Sequence, residues 1–230
     1  MRTVYVNIET SVPLGVMVDP SSIKAPKNYK DPDKIREYQL REALERYDRI
    51  PLHPLQAQVV CFTTLVEGET DPEVYLVNNE RVLFDQIEEW ISVIHREGQT
   101  PIRWCSYNGI RFDYPLLRLR GAKYGKALTA SEFTTRTRYP DHKHSDLFQQ
   151  LGEPGTLDEV AAFFGTSTYD NEIHGSEIRG CLALGHHDKI IRHTRSRVLI
   201  LRDIDLIVNG GVAPVSTVTA PGAEGEAVAQ

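Results

Sequence analysis

The chain has 230 residues, of which 40% are hydrophobic and 25% charged, and a formal net charge of −6. That balance supplies apolar material for one sizeable core. No apolar run approaches the roughly 18 residues of a membrane span, and an acidic total excludes a protein held to polyanions by bulk positive charge alone. Cys61, Cys105 and Cys181 form neither an even disulfide framework nor a metal-ligand spacing, and read as buried free thiols. No charged-then-apolar leader opens the chain, so a cytoplasmic location is expected.

Residues 3–9 alternate and are β-branched enough to form a first strand. From 12 to 55 the composition changes. Pro13, Pro20, Pro26 and Pro32 break its first half, and Ile35, Leu40, Ala43, Leu44 and Tyr47 fall at helical spacing in the second. This segment reads as an inserted loop and helix. Residues 58–65 form a second strand, which an acidic turn at 67–73 joins to a third over 73–77 as a hairpin. Ile87, Trp90, Ile91 and Ile94 mark the apolar face of a helix over 83–94. A fourth strand over 102–106 ends in the turn Tyr107-Asn108-Gly109, and a helix follows from about 112 to 120.

Thr156 and Glu159 fit a capping box that starts a helix through Phe164. Two more helices are expected over 177–184 and 187–208. The remainder, 209–230, has no periodicity and reads as a disordered tail on a single domain of residues 1–208. The whole is α/β, with a mixed sheet flanked by helices.

Three stretches bear on chemistry. At the end of the first strand, Asn7 and Glu9 project to the same face, where two oxygen ligands could flank a cation. The stretch Tyr107-Asn108-Gly109-Ile110-Arg111-Phe112-Asp113 places a carboxylate in the first turn of a helix. The third is Lys189-Ile190-Ile191-Arg192-His193-Thr194-Arg195-Ser196-Arg197, a helix rich in bases. In order and spacing these resemble the proofreading exonuclease domains of family B DNA polymerases, and more closely a stand-alone family of predicted 3′–5′ exonucleases related to them. The family pattern runs Asp-x-Glu-Thr, then Asn-x-x-x-Phe-Asp, then Tyr-x-x-x-Asp on a late helix. Residues 25–32, His144-Ser145-Asp146-Leu147 and 156–161 also look like that family, so the resemblance covers roughly 3–207.

The resemblance implies a ribonuclease H-like exonuclease fold and a site in which four acids hold two Mg²⁺ or Mn²⁺ ions, with a tyrosine orienting the attacking water. Carried over residue by residue, the catalytic positions are Asn7, Glu9, Asp113, His193 and Arg197. Only Glu9 and Asp113 keep a metal-binding charge. Asn7 stands where the first acid belongs, Arg197 where the last belongs, and His193 in place of the tyrosine. No acid lies between Lys189 and Arg202, and Asp188 and Asp203 fall off the face of Arg197. Thr10, Tyr107, Asn108, Phe112, Arg192 and Arg195 are the positions expected to meet nucleic acid, with Tyr114 a further candidate for stacking on a base.

Three readings follow. One is a 3′–5′ DNA exonuclease working with Mg²⁺ or Mn²⁺. Another is a non-catalytic descendant with no cofactor, in which Arg197 replaces a metal by pairing with Glu9 and Asp113; it binds single-stranded DNA 3′ ends or a replication or repair protein. The last is a protein-interaction scaffold.

Overall fold

The computed structural model describes residues 1–97, 101–133, 143–166, 169 and 172–210. Five strands form one sheet in the order β3-β2-β1-β4-β5, with β1 (Arg2–Ser11) at its centre. Strand β2 (Gln58–Val66) runs antiparallel to β1 and pairs in turn with β3 (Glu73–Leu76) as the expected hairpin. On the other side β4 (Ile102–Ser106) and β5 (His144–Asp146) run parallel to β1.

Alternation along β1 decides what each face carries. Val4, Val6 and Ile8 point into the larger core, against Leu83, Phe84, Ile87 and Ile91 of α2 (Glu80–Glu97) and Leu116 and Leu117 of α3 (Asp113–Lys123). Tyr5 points the other way, into a second core with Val160 of α6 (Leu157–Phe164) and Val198, Leu201 and Ile204 of α8 (His187–Val208). Numbering in chain order, α1 is Pro32–Arg49, α4 Ala127–Glu132, α5 Leu147–Gln150 and α7 Ile178–Leu184. The expected insertion therefore holds one α-helix, α1, with a short 3-10 turn before it and another after it. It starts after Asp31, whose side chain accepts from the Asp33 N–H, with Pro32 just inside the first turn where it costs no backbone bond.

The capping box forms as expected: Thr156 accepts from the Glu159 N–H, and Glu159 accepts from the Thr156 N–H. Three short elements, α4, α5 and β5, carry too few residues to show a period. The expected tail lies outside the described residues beyond 210. No described helix is long and apolar enough to cross a membrane, and all three cysteines are buried.

One buried acid ties the larger core together. Glu132, 6% exposed, accepts from Trp104 Nε1 at 3.0 Å and from Lys143 Nζ at 2.9 Å, and His95 Nε2 lies 3.1 Å away. Burial alone would raise this carboxyl, but Lys143, Trp104 and His95 outweigh it and hold the pKa below the ordinary 4.5. Glu132→Gln is expected to cost about 2–3 kcal/mol at neutral pH, because an amide must turn its NH2 toward one of these donors. A depressed folded-state pKa gives stability that is present above 4.5 and lost as pH falls through the folded value. Urea unfolding of the variant and its parent should therefore differ fully at pH 7, and the difference should shrink as pH falls below 4.5 and through the lowered folded value.

Candidate active site at the strand ends

Parallel strands β1 and β4 bring their carboxyl ends to one edge of the sheet, the usual place for a site in an α/β fold. Past Glu9 the pairing of β1 with β2 shifts register, from Glu9 opposite Cys61 to Thr10 opposite Val59. Such a bulge bends the strand and re-aims its last side chains. Asn7 and Glu9 face α8, on the opposite side of the sheet from Val6 and Ile8.

The predicted neighbours do meet at Glu9, in an unexpected combination. Asn7 Nδ2 donates to Glu9 Oε1 at 3.0 Å, and His193 Nε2 lies 3.2 Å from the same oxygen. His193 is 4% exposed and Glu9 12%, so the imidazole is a buried partner of the acid rather than a surface or core-packing group. The other oxygen, Oε2, faces Gly175.

Arg197 does not replace a metal between Glu9 and Asp113. Its Nη1 lies 2.5 Å from Asp158 Oδ1, in the first turn of α6. The physical reason is solvation. Asp158 is half-exposed, and its charge sits where the N-terminal dipole of α6 already favours it. A guanidinium paired there keeps contact with water, whereas burial beside Glu9 would cost more than the pairing returns.

Asp113 opens α3 and is 7% exposed. Burial, then the charge of Glu9, then that of Asp146 push its carboxyl well above the ordinary carboxylate range. Asp146 was named only as part of a family-like stretch, and its role here is positional. At the end of β5 it accepts from the backbone N–H of Asn108 at 2.8 Å, Ile110 at 3.0 Å and Phe148 at 3.1 Å, and so fixes the turn that carries Asn108 to Asp113. Asn108 takes the left-handed conformation, φ 59°, which asparagine tolerates better than most residues. Its side-chain oxygen is buried with no hydrogen-bond partner among the described residues.

The expected nucleic-acid contacts are largely engaged within the fold. Thr10 Oγ1 donates to Pro51 O at 2.8 Å and ties the insertion to the strand end. Tyr107 donates to Gly155 O at 2.5 Å and packs edge-on against Phe148. Phe112 packs against the larger core, and Tyr114 is fully buried within it, which removes it from any stacking role. On α8, Arg192 meets Glu172 and Asp188, each at 3.2 Å, and Arg195 pairs with Asp71. The charged face read from the sequence as positive is thus interleaved with acids from three distant segments. His186 and His187 are exposed at the start of α8.

A pair of divalent ions does not fit these donors. Glu9 Oε1 already takes an amide N–H and faces an imidazole nitrogen, and the position of the last acid holds a cation. Among the described residues, no group of three or more His, Cys, Asp or Glu side chains is placed to hold one ion. Mg²⁺ calls for several carboxylate or water oxygens in an octahedron, and the mixture here offers the acids Glu9 and Asp113, one amide oxygen, one imidazole nitrogen and a guanidinium that can ligate no metal.

No protein-family model and no curated protein matches the chain. Among solved structures it is similar to the family B DNA polymerase from the hyperthermophilic archaeon Pyrobaculum calidifontis, with 16% identity and a TM-score of 0.55 over 87% of this chain and 23% of that one. A structure of E. coli Exonuclease I in complex with an oligonucleotide aligns with 10% identity and a TM-score of 0.37 over 87% of this chain and 40% of that one. The chain spans about a quarter and two-fifths of their lengths. The polymerase likeness shows the fold: an α/β domain with a mixed five-stranded sheet flanked by helices, shared with part of that polymerase.

Proposed function

We propose that this domain engages nucleic-acid 3′ ends without hydrolysing them, as a descendant of a two-metal 3′–5′ exonuclease. The observation that carries the reading is the state of Glu9. Its Oε1 is shared by Asn7 Nδ2 and His193 Nε2, while Arg197 is turned to Asp158. A neutral amide and a cation stand at two of the acid positions, Asn7 and Arg197, and His193 stands at that of the tyrosine; a cation near the site repels two dications and attracts a phosphate. At the same strand ends, Asn108 keeps a buried side-chain oxygen with no hydrogen-bond partner among the described residues, an acceptor left open to a ligand.

A 3′-labelled single-stranded oligonucleotide incubated with the chain and Mg²⁺ or Mn²⁺ is expected to remain intact while fluorescence anisotropy reports binding. Metal-dependent shortening from the 3′ end would overturn the reading in favour of an active Mg²⁺- or Mn²⁺-dependent enzyme. A specific observation favours a second reading, the protein-interaction scaffold: Lys189, Arg192, Arg195 and Arg197 all face acids. Salt dependence separates the two, because each phosphate contact contributes a slope of about −0.7 to log K against log salt for a single strand. A slope near zero, or no binding at low salt, supports the scaffold. A slope of about −2 or steeper supports the end-binding domain.

A further inference from the structure

The insertion builds an apolar groove of about 780 Å³ on the side of the molecule away from α2 and α3. One wall is α1, another is α7, and the loop 13–18 forms the rim. Leu14 on that rim is 92% exposed, Met17 87%, and on α1 Leu44 is 64% and Leu40 48% exposed. Side chains of this size at these exposures leave on the order of 500 Å² of apolar surface in water, near the top of what a monomer's largest patch shows.

Along α1, Arg36, Leu40, Leu44 and Asp48 follow one another at four-residue steps, so they lie in one stripe, and all four are exposed. Read in one direction the stripe is cation, leucine, leucine, anion. Read in the other it is anion, leucine, leucine, cation. A second α1 laid antiparallel, with the two-fold axis at residue 42, therefore sets Leu40 against the partner's Leu44 and Arg36 against the partner's Asp48, twice over. That is the self-complementarity an isologous interface requires.

We infer that the insertion is a dimerisation element: α1 packs antiparallel on α1 of a second copy, with the Leu14 and Met17 rims covering the ends of the contact. Two such patches, one from each copy, bring on the order of 1,000 Å² together, the lower bound of a specific interface. The inference is independent of what the strand-end site does.

The test is the mass of the full chain in solution, by sedimentation velocity at about 1 and about 100 µM, where mass action fills a micromolar dimer. A dimer at the higher concentration is expected. Leu40→Glu with Leu44→Glu should give a monomer whose melting temperature stays within about 2 °C of a monomeric reference, since both side chains lie on the outside. Arg36→Asp alone should weaken the dimer at least tenfold, and adding Asp48→Arg should restore it, a rescue that misfolding cannot imitate. A parent chain that is monomeric at the higher concentration would overturn the inference. So would a dimer indifferent to both leucine substitutions, or a charge pair without rescue. A monomer whose oligonucleotide affinity falls with Leu40→Glu and Leu44→Glu would overturn it too, and would assign the groove to nucleic acid.

Discussion

The triple variant Asn7→Asp, His193→Tyr, Arg197→Asp is expected to gain a metal-dependent rise in melting temperature that the parent lacks, and with it cleavage from the 3′ end. Each substitution answers one obstacle at the strand end. The first removes the amide that donates to Glu9 Oε1. The second withdraws the imidazole from the same oxygen. The third exchanges the cation now paired with Asp158 for a charge of the required sign. A single site filled to 100 times its Kd stabilises the folded chain by about 2.7 kcal/mol. For a domain of this size that is about 5–10 °C in Tm. The fold should bear the changes, because Asp158, left without Arg197, is half-exposed in the first turn of α6. Restoring only positions 7 and 197 should yield less, since His193 still occupies Glu9. If the triple variant neither melts higher with Mg²⁺ or Mn²⁺ nor shortens a labelled strand, the exonuclease ancestry of the site is wrong.

Gly109→Ala is expected to destabilise the chain by about 3 kcal/mol and to lower Tm by about 6–12 °C. A Cβ on Gly109 would stand 2.6 Å from Ser106 Cβ, closer still to Ser106 Oγ, and 3.3 Å from Tyr114 Cε1. Ser106 and Tyr114 are themselves fully buried, so neither can give way. The turn that must shift is the one Asp146 holds through Asn108 and Ile110, and it leads into Asp113. Gly180→Ala is the contrast. Gly180 lies in α7 with nothing within 4 Å of its added Cβ, so the helix should gain up to about 1 kcal/mol. Ser106→Gly combined with Gly109→Ala should recover much of the loss. Equal melting temperatures for the two alanine variants would show that the turn is not as tightly packed as described.

Much of the fold was legible because its long elements each carry a local signal. The 22-residue α8 shows its period over six turns, and the Thr156–Glu159 box announces α6 from four residues. Strand β5, at three residues, has no period to read, and its pairing with β4 is set by sheet geometry. In the site, order and spacing singled out Asn7, Glu9 and His193, which the structure brings into contact. Which partner each would take they left open. His193 and Arg197 are one helical turn apart, and sequence alone cannot tell which of them leans toward Glu9 and which toward α6. Asp158 is 39 residues from Arg197, a contact created only when α6 and α8 dock on the same face. The role of Asp146 rests on backbone N–H groups, which leave no trace in side-chain patterns.

Strand β1 is a seam between two halves that close on different schedules. Its hairpin partner β2 begins at residue 58, whereas its parallel partner β4 begins only at residue 102, and the imidazole that reaches Glu9 belongs to α8, the last of the described helices. Contacts that span most of a chain come late, after the loops between them have been closed at entropic cost. During synthesis, then, Glu9 leaves the ribosome before His193 and is expected to stay solvated until α8 has docked. The pairing of these two side chains should mark the final act of folding.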